Sequence, residues 1–142
     1  MKPRELPRSA RILTGLVALV TMVGPYLADW NETHIYNPTW PPHAKFHNAQ
    51  TMLMGAALGA CTLYFLRGGS GARPRFTVAV LLAALYWITQ ALSILFPGTA
   101  FVDPDRAGTG LVAGVPVQFV LDVVLLALLG VAMGLRAAAA SR

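Results

Sequence analysis

All three histidines of this chain, His34, His43 and His47, fall in one short segment, Asp29–Gln50, with the sequence DWNETHIYNPTWPPHAKFHNAQ. Trp30, Trp40, Asp29 and Glu32 lie there too. Pro41-Pro42 suits a first helical turn, where proline's missing N–H would have no partner. A helix starting near Pro41 puts His43 and His47 on one face, with Gln50 and Thr51 continuing it. Two imidazoles at that spacing can ligate one metal ion. His34 can add a third nitrogen, and Asp29 or Glu32 a carboxylate ligand or an orienting partner. The same pair can instead act as general acid and base, because imidazole changes charge near neutral pH. The segment His43-Ala44-Lys45-Phe46-His47 lacks the glutamate of the zinc-protease helix, so a protease reading fails. Lys45 disfavours a cation unless it points outward. The plainest alternative is that the histidines hydrogen-bond loop carbonyls and headgroups. Haem would lack a facing axial ligand, since no other helix carries a histidine.

A second polar set lies within apolar sequence. Asp122 is the one ionisable residue inside an expected span, and Gln118 precedes it by one turn. Counted from a helix start at Leu111, Asp122 is about 15 Å in, at about 1.5 Å per residue. Gln90, with Thr89 and Ser93, sits at a similar depth in the preceding helix. An ionisable side chain in a span is expensive and is a functional candidate by default. These groups are expected to converge on a cavity open to the extracytoplasmic side and roofed by the loop 29–45. His34, His43, His47 and Asp122 are then the catalytic candidates. Gln50, Trp87, Gln90, Gln118 and Trp40 are the candidate substrate contacts. The structural alternative is a protonated Asp122 bonded to Gln90 as interhelical glue.

The elements that must position these residues are membrane helices. Hydrophobic residues make up 56% of the 142-residue chain and charged residues 12%, against about 25% charged in soluble domains. Four apolar stretches bounded by charges each approach the roughly 20 residues a span requires. The expected fold is all-α: one domain over 1–142, an integral membrane four-helix bundle with helices near 12–28, 43–66, 76–96 and 111–136. The start MKPRELPRSAR looks like the basic region of a signal peptide. The following apolar run is too long for one and ends in Tyr26-Leu27-Ala28, not a cleavage pattern, so the first helix is expected to be retained. The sequence 68–75, GGSGARPR, reads as a tight turn.

Charge placement orients the bundle. Lys2, Arg4, Arg8, Arg11, Arg67, Arg73, Arg75, Arg136 and Arg142 would share one side, and only Lys45 and Arg106 the other. Asp29, Glu32, Asp103 and Asp105 join the sparser side. The positive-inside rule makes both termini cytoplasmic and the histidine-rich loop extracytoplasmic, in a cytoplasmic or plasma membrane. Membrane lipids are the expected partners of this basic chain. Nucleic acid is not, for no basic stripe interleaved with aromatics exists. Gly55/Gly59, Gly110/Gly114 and Gly130/Gly134 form small-residue pairs that suit close helix packing, within the bundle or in a homo- or hetero-oligomer. Cys61 is the single cysteine and is expected to be a small packing residue. Tyr26, Trp30, Tyr36 and Trp40 sit where interfacial aromatic belts form. Asn31-Glu32-Thr33 matches the N-glycosylation pattern, of consequence only in a glycosylating host.

The segment from Asn31 to His47 resembles the N-x-T-H-x-x-N-P-x-W-P-P-H-A-[KR]-F-H signature of a family of small four-span membrane proteins of bacteria and fungi with no assigned function. The resemblance implies the four-span layout and no chemistry. The architecture is also similar to that of sterol isomerases and sigma-2-type receptors, whose membrane cavity takes sterols and hydrophobic amines. Asp122, Gln90 and Trp87 are of suitable types for such a cavity, but that family's acidic motifs do not align onto this chain.

Three functions fit these residues. One is an acid–base enzyme acting on a lipid-soluble, isoprenoid- or sterol-like small molecule. Another is a non-catalytic accessory or binding subunit of a membrane complex. The third is a histidine metal site.

Overall fold

The computed structural model describes residues 6–67, 72–103, 106 and 108–141. Lys2, Arg4, Asp105, Arg142 and residues 68–71 of the expected turn lie outside the described residues. The fold is an all-α bundle of four helices: α1 Arg8–Asp29, α2 Pro42–Phe65, α3 Ala72–Ser93 and α4 Val117–Ser141. Proline and glycine punctuate them. Pro42 opens α2. Pro74 lies in the first turn of α3, where its missing N–H is harmless. Beyond Ser93 the chain makes two short turns, Leu95 N–H to Leu92 O and Phe96 N–H to Ser93 O, before Pro97 forbids further helix.

The fourth helix begins later than Leu111. Residues Leu111–Val112 and Val115–Pro116 form strands β1 and β2 of a small antiparallel hairpin. Its two turn residues, Ala113 and Gly114, have φ of 50° and 82°. A two-residue hairpin turn demands such left-handed conformations, which no helix tolerates in sequence. Gly110 and Gly114 therefore serve a turn and form no helix-packing pair. Asp122 is only five residues into α4, about 7 Å at about 1.5 Å per residue, rather than about 15 Å.

Helix adjacency follows from where glycine admits close approach. A Cβ on Gly55 would lie 2.6 Å from the Thr21 carbonyl oxygen, and one on Gly59 would lie 2.5 Å from that of Ala18 and collide with Met22. The absent side chains let the α1 and α2 backbones meet, as small-residue faces do in lipid. α1 also packs on α4, α3 packs on both α2 and α4, and α1 touches α3 across the bundle. Among the described residues α2 and α4 make no such contact. They occupy opposite corners.

The core lies along the α1–α3 diagonal and the inner stripe of α4. Val17, Phe76, Ala83, Tyr86, Trp87, Leu125 and Leu129 belong to it. Asp122, Leu125, Leu129 and Ala132 are the buried residues of α4, spaced as one helical face. Trp87 donates its indole N–H to Thr21 Oγ1 at 2.9 Å. Thr21 in turn donates to Val17 O at 2.9 Å. The outward faces carry large apolar side chains, Leu53 64% and Leu81 61% exposed among them, as expected of surfaces facing lipid rather than water. Cys61 is exposed on α2 rather than packed inside. It lies on the side of the helix away from Gly55 and Gly59.

Three helices, Arg8–Asp29, Arg73–Ser93 and Val117–Ser141, are long and apolar enough to cross a membrane. That is consistent with a multi-pass membrane protein. α2 falls short of the same hydropathy because His43, Lys45, His47, Asn48, Gln50 and Thr51 crowd its first turns.

Candidate functional site

The loop joining α1 to α2 is built on two asparagines. Asn31 Oδ1 accepts from the Thr33 backbone N–H and hydroxyl, at 2.8 and 2.6 Å. Asn37 Oδ1 accepts from the same two groups of Thr39, at 2.9 and 2.8 Å. These are Asx turns, in which the short amide mimics a backbone turn. The Asn31 amide nitrogen also donates to Ala28 O at 2.6 Å, so the residue of the glycosylation pattern is engaged in the turn. Trp30 donates to the Tyr36 hydroxyl and stacks on Tyr26.

The loop separates His34 from the other histidines. Its Nδ1 lies 2.6 Å from Thr33 Oγ1, its Nε2 3.8 Å from Asp29 Oδ1, and its ring meets the edge of Trp40. Asp29 also accepts from Asn48 Nδ2 at 2.8 Å. The carboxylate that orients a histidine thus orients His34 alone, and it ties the end of α1 to α2. Glu32 is exposed. Among the described residues no three His, Cys, Asp or Glu side chains gather closely enough to hold a metal ion. The three-histidine cluster does not assemble, because His34 is held by the loop while the other two ride on α2.

His43 and His47 do meet. Their Nε2 atoms are 3.0 Å apart and their rings are edge-to-face. His47 Nδ1 lies 3.2 Å from Gln50 Oε1. An amide oxygen only accepts, so this contact makes His47 Nδ1 the donor. His47 Nε2 then offers a lone pair to the N–H of His43 Nε2, and His43 Nδ1 is left as a base. The sequence of contacts runs His43, His47, Gln50 along one exposed face of α2.

Gln50 ends that run on a cavity. A trough of about 250 Å³ between α2 and α3 is lined by Gln50, Thr51, Met54, Tyr86, Thr89, Gln90 and Ser93. A second hollow of about 130 Å³ adjoins it, sharing Gln90 and Ser93 and reaching Gln118 and Phe101. The adjoining hollows take Gln50 from α2, Gln90 from α3 and Gln118 from α4. With α2 and α4 at opposite corners, α3 meets each of them separately. Asp122 lines neither hollow. It is 1% exposed, and neither carboxyl oxygen has a hydrogen-bond partner among the described residues. Gln90 Oε1 is likewise buried without a partner, so the Asp122–Gln90 bond of the structural alternative is absent among the described residues. Tyr86 shares the buried core with Leu125, the next buried residue of α4 after Asp122.

A family model matches residues 13–140. The chain belongs to DUF6640, a family of unknown function. No curated protein and no solved structure matches it.

In this DUF6640 protein the candidates thus divide by place. His43, His47, Gln50, Gln90 and Gln118 lie on or beside the paired hollows. His34, Trp40 and Glu32 belong to the loop, and Asp29 ends α1 beside it. Trp87 is 3% exposed in the core and contributes to packing rather than to the trough. Thr51, Thr89 and Ser93, which the sequence places beside the polar candidates, line the trough together with Tyr86 and with Met54, which carries no polar signal. The signal on α3 is a stripe of hydrogen-bonding side chains at Tyr86, Thr89, Gln90 and Ser93, helically spaced on an apolar helix. Asn48, which anchors Asp29, carries no such signal.

Proposed function

We propose that this DUF6640 member spans the membrane four times with both termini cytoplasmic. We further propose that it binds a lipid-soluble, isoprenoid- or sterol-like small molecule in the α2–α3 trough for acid–base chemistry. The observation carrying this reading is the hydrogen-bonded run His43–His47–Gln50 that ends on the trough. A proton taken at His43 Nδ1 can be matched by passage of the His43 Nε2 hydrogen to His47 Nε2 and release of the His47 Nδ1 hydrogen on the Gln50 side, so the pair can relay protons between outer surface and trough. Asp122 would set the field at the Tyr86 hydroxyl. The four-span layout is supported by length: α2 has 24 residues, about 36 Å at about 1.5 Å per residue, against a hydrocarbon core of about 30 Å. Its polar first turns would lie at the outer interface, and the basic bias of the opposite end supports the orientation.

The test compares wild type with His43→Ala/His47→Ala, each purified with its native lipids. Both residues are exposed, so the variant should keep its helical circular dichroism. The reading expects one co-extracted small molecule to be consumed by wild type alone. Identical profiles of turned-over lipids in the two preparations would sink it.

One observation favours a second reading, an accessory subunit. Gly130 and Gly134 on α4 have no heavy atom within 4 Å of where a Cβ would stand, leaving a smooth outward face. A stable co-purifying partner lost on Gly130→Leu would support that reading.

A further inference from the structure

We infer that the trough selects a hydrogen-bond donor, namely a lipid-soluble alcohol or phenol. This rests on the trough being the small-molecule site proposed above. The argument is where the wall's own hydrogens go. Thr51 Oγ1 donates to His47 O at 3.0 Å. Thr89 Oγ1 donates to the carbonyls of Leu85 and Tyr86, at 2.8 and 2.9 Å. Ser93 Oγ donates to Thr89 O at 2.8 Å. A hydroxyl has one hydrogen and two lone pairs, so three of the four wall hydroxyls, all but that of Tyr86, spend their hydrogens on helix carbonyls and turn acceptor capacity to the cavity. Gln90 Oε1 adds a fourth acceptor, buried and without a partner. A buried acceptor left unmet costs free energy that a donating ligand recovers.

The wall also limits charge and size. Among the described residues, none lining the trough or its adjoining hollow is Asp, Glu, Lys, Arg or His. A cationic donor would enter without a counter-ion, which a membrane interior penalises. A volume of about 250 Å³ is below the roughly 300–1,000 Å³ of typical ligand pockets. It suits a single ring bearing the hydroxyl, with the tail lying in lipid. Ser93 and Tyr86 are seven residues apart, about 10 Å along α3 at about 1.5 Å per residue. The hydroxyl would sit in the outer part of that length, beside Gln90.

The experiment measures binding of para-nonylphenol, para-nonylanisole and para-nonylbenzylamine to the full chain in detergent, by equilibrium dialysis. The anisole has nearly the same shape and lacks only the donor. The phenol is expected to bind about tenfold or more tightly than the anisole, as one buried hydrogen bond allows. That ratio should collapse towards one in Gln90→Leu and, as an independent variant, Ser93→Ala. It should persist in His43→Ala/His47→Ala, whose residues lie outside the trough. Equal binding of phenol and anisole would overturn the donor requirement while leaving the trough as a binding site. Tightest binding of the amine would overturn it in favour of a cation site. Binding of none of the three would overturn this inference together with the small-molecule reading. A ratio unchanged in both trough variants would place the selective site elsewhere and overturn the inference.

Discussion

Replacing Asp122 by leucine should stabilise the bundle. The side chain is 1% exposed and both carboxyl oxygens lack partners among the described residues. An unsatisfied buried polar group costs about 1–3 kcal/mol. The α4 stripe continues from Asp122 through Leu125, Leu129 and Ala132, so leucine extends a row that already packs. Its extra bulk offsets about 1 kcal/mol through overpacking. The net gain is about 1–2 kcal/mol, which for a chain of this size raises the thermal midpoint by about 3–8 °C. Asp122→Asn should gain nothing, because an amide in the same place needs partners as much as a carboxyl does. Thermal unfolding in one detergent, followed by circular dichroism, ranks the three proteins. If Asp122 also sets the field at Tyr86, Asp122→Leu should lose turnover while gaining stability. A fall of several degrees in Asp122→Leu would refute the reasoning, since it would mean that the carboxyl is partnered and that the bundle depends on it.

The glycine faces make a paired prediction. Gly59→Ala should destabilise by about 1–3 kcal/mol, because its Cβ would lie 2.5 Å from Ala18 O. Gly130→Ala meets nothing and should gain up to about 1 kcal/mol from helix propensity; equal midpoints for the two variants would contradict the α1–α2 packing. Thr21→Val should cost more than its near-isosteric shape suggests, about 1–3 kcal/mol, since it orphans the buried Trp87 N–H. A loss under a few tenths of a kcal/mol in the same unfolding assay would argue against that bond. Elemental analysis of wild type beside His43→Ala/His47→Ala should find no stoichiometric metal specific to wild type, because the two Nε2 atoms are engaged with each other. Near-stoichiometric zinc, iron or copper lost in the variant would replace the proton-sharing pair with a metal site.

Much of this protein is legible locally. Low charge and long apolar stretches specify membrane helices, since backbone groups in lipid must satisfy themselves. Pro41-Pro42 predicts where α2 starts, and the i, i+4 spacing brings His43 to His47 with no help from the rest of the chain. The start of α4 is not legible in the sequence, because apolar residues at 111–116 suit a hairpin as well as a helix. There the left-handed turn at Ala113-Gly114 decides between them. Tertiary packing alone settled the remainder. Nothing in the spacing of Trp87 distinguishes a cavity wall from a core; its bond to Thr21, 66 residues away, does. Nothing local says that α2 and α4 take opposite corners with α3 between them, or that Asp122 is buried away from both hollows. Periodicity assigns residues to the faces of a helix, but which neighbour each face meets depends on long-range packing, here on the two glycines that let α1 and α2 close together.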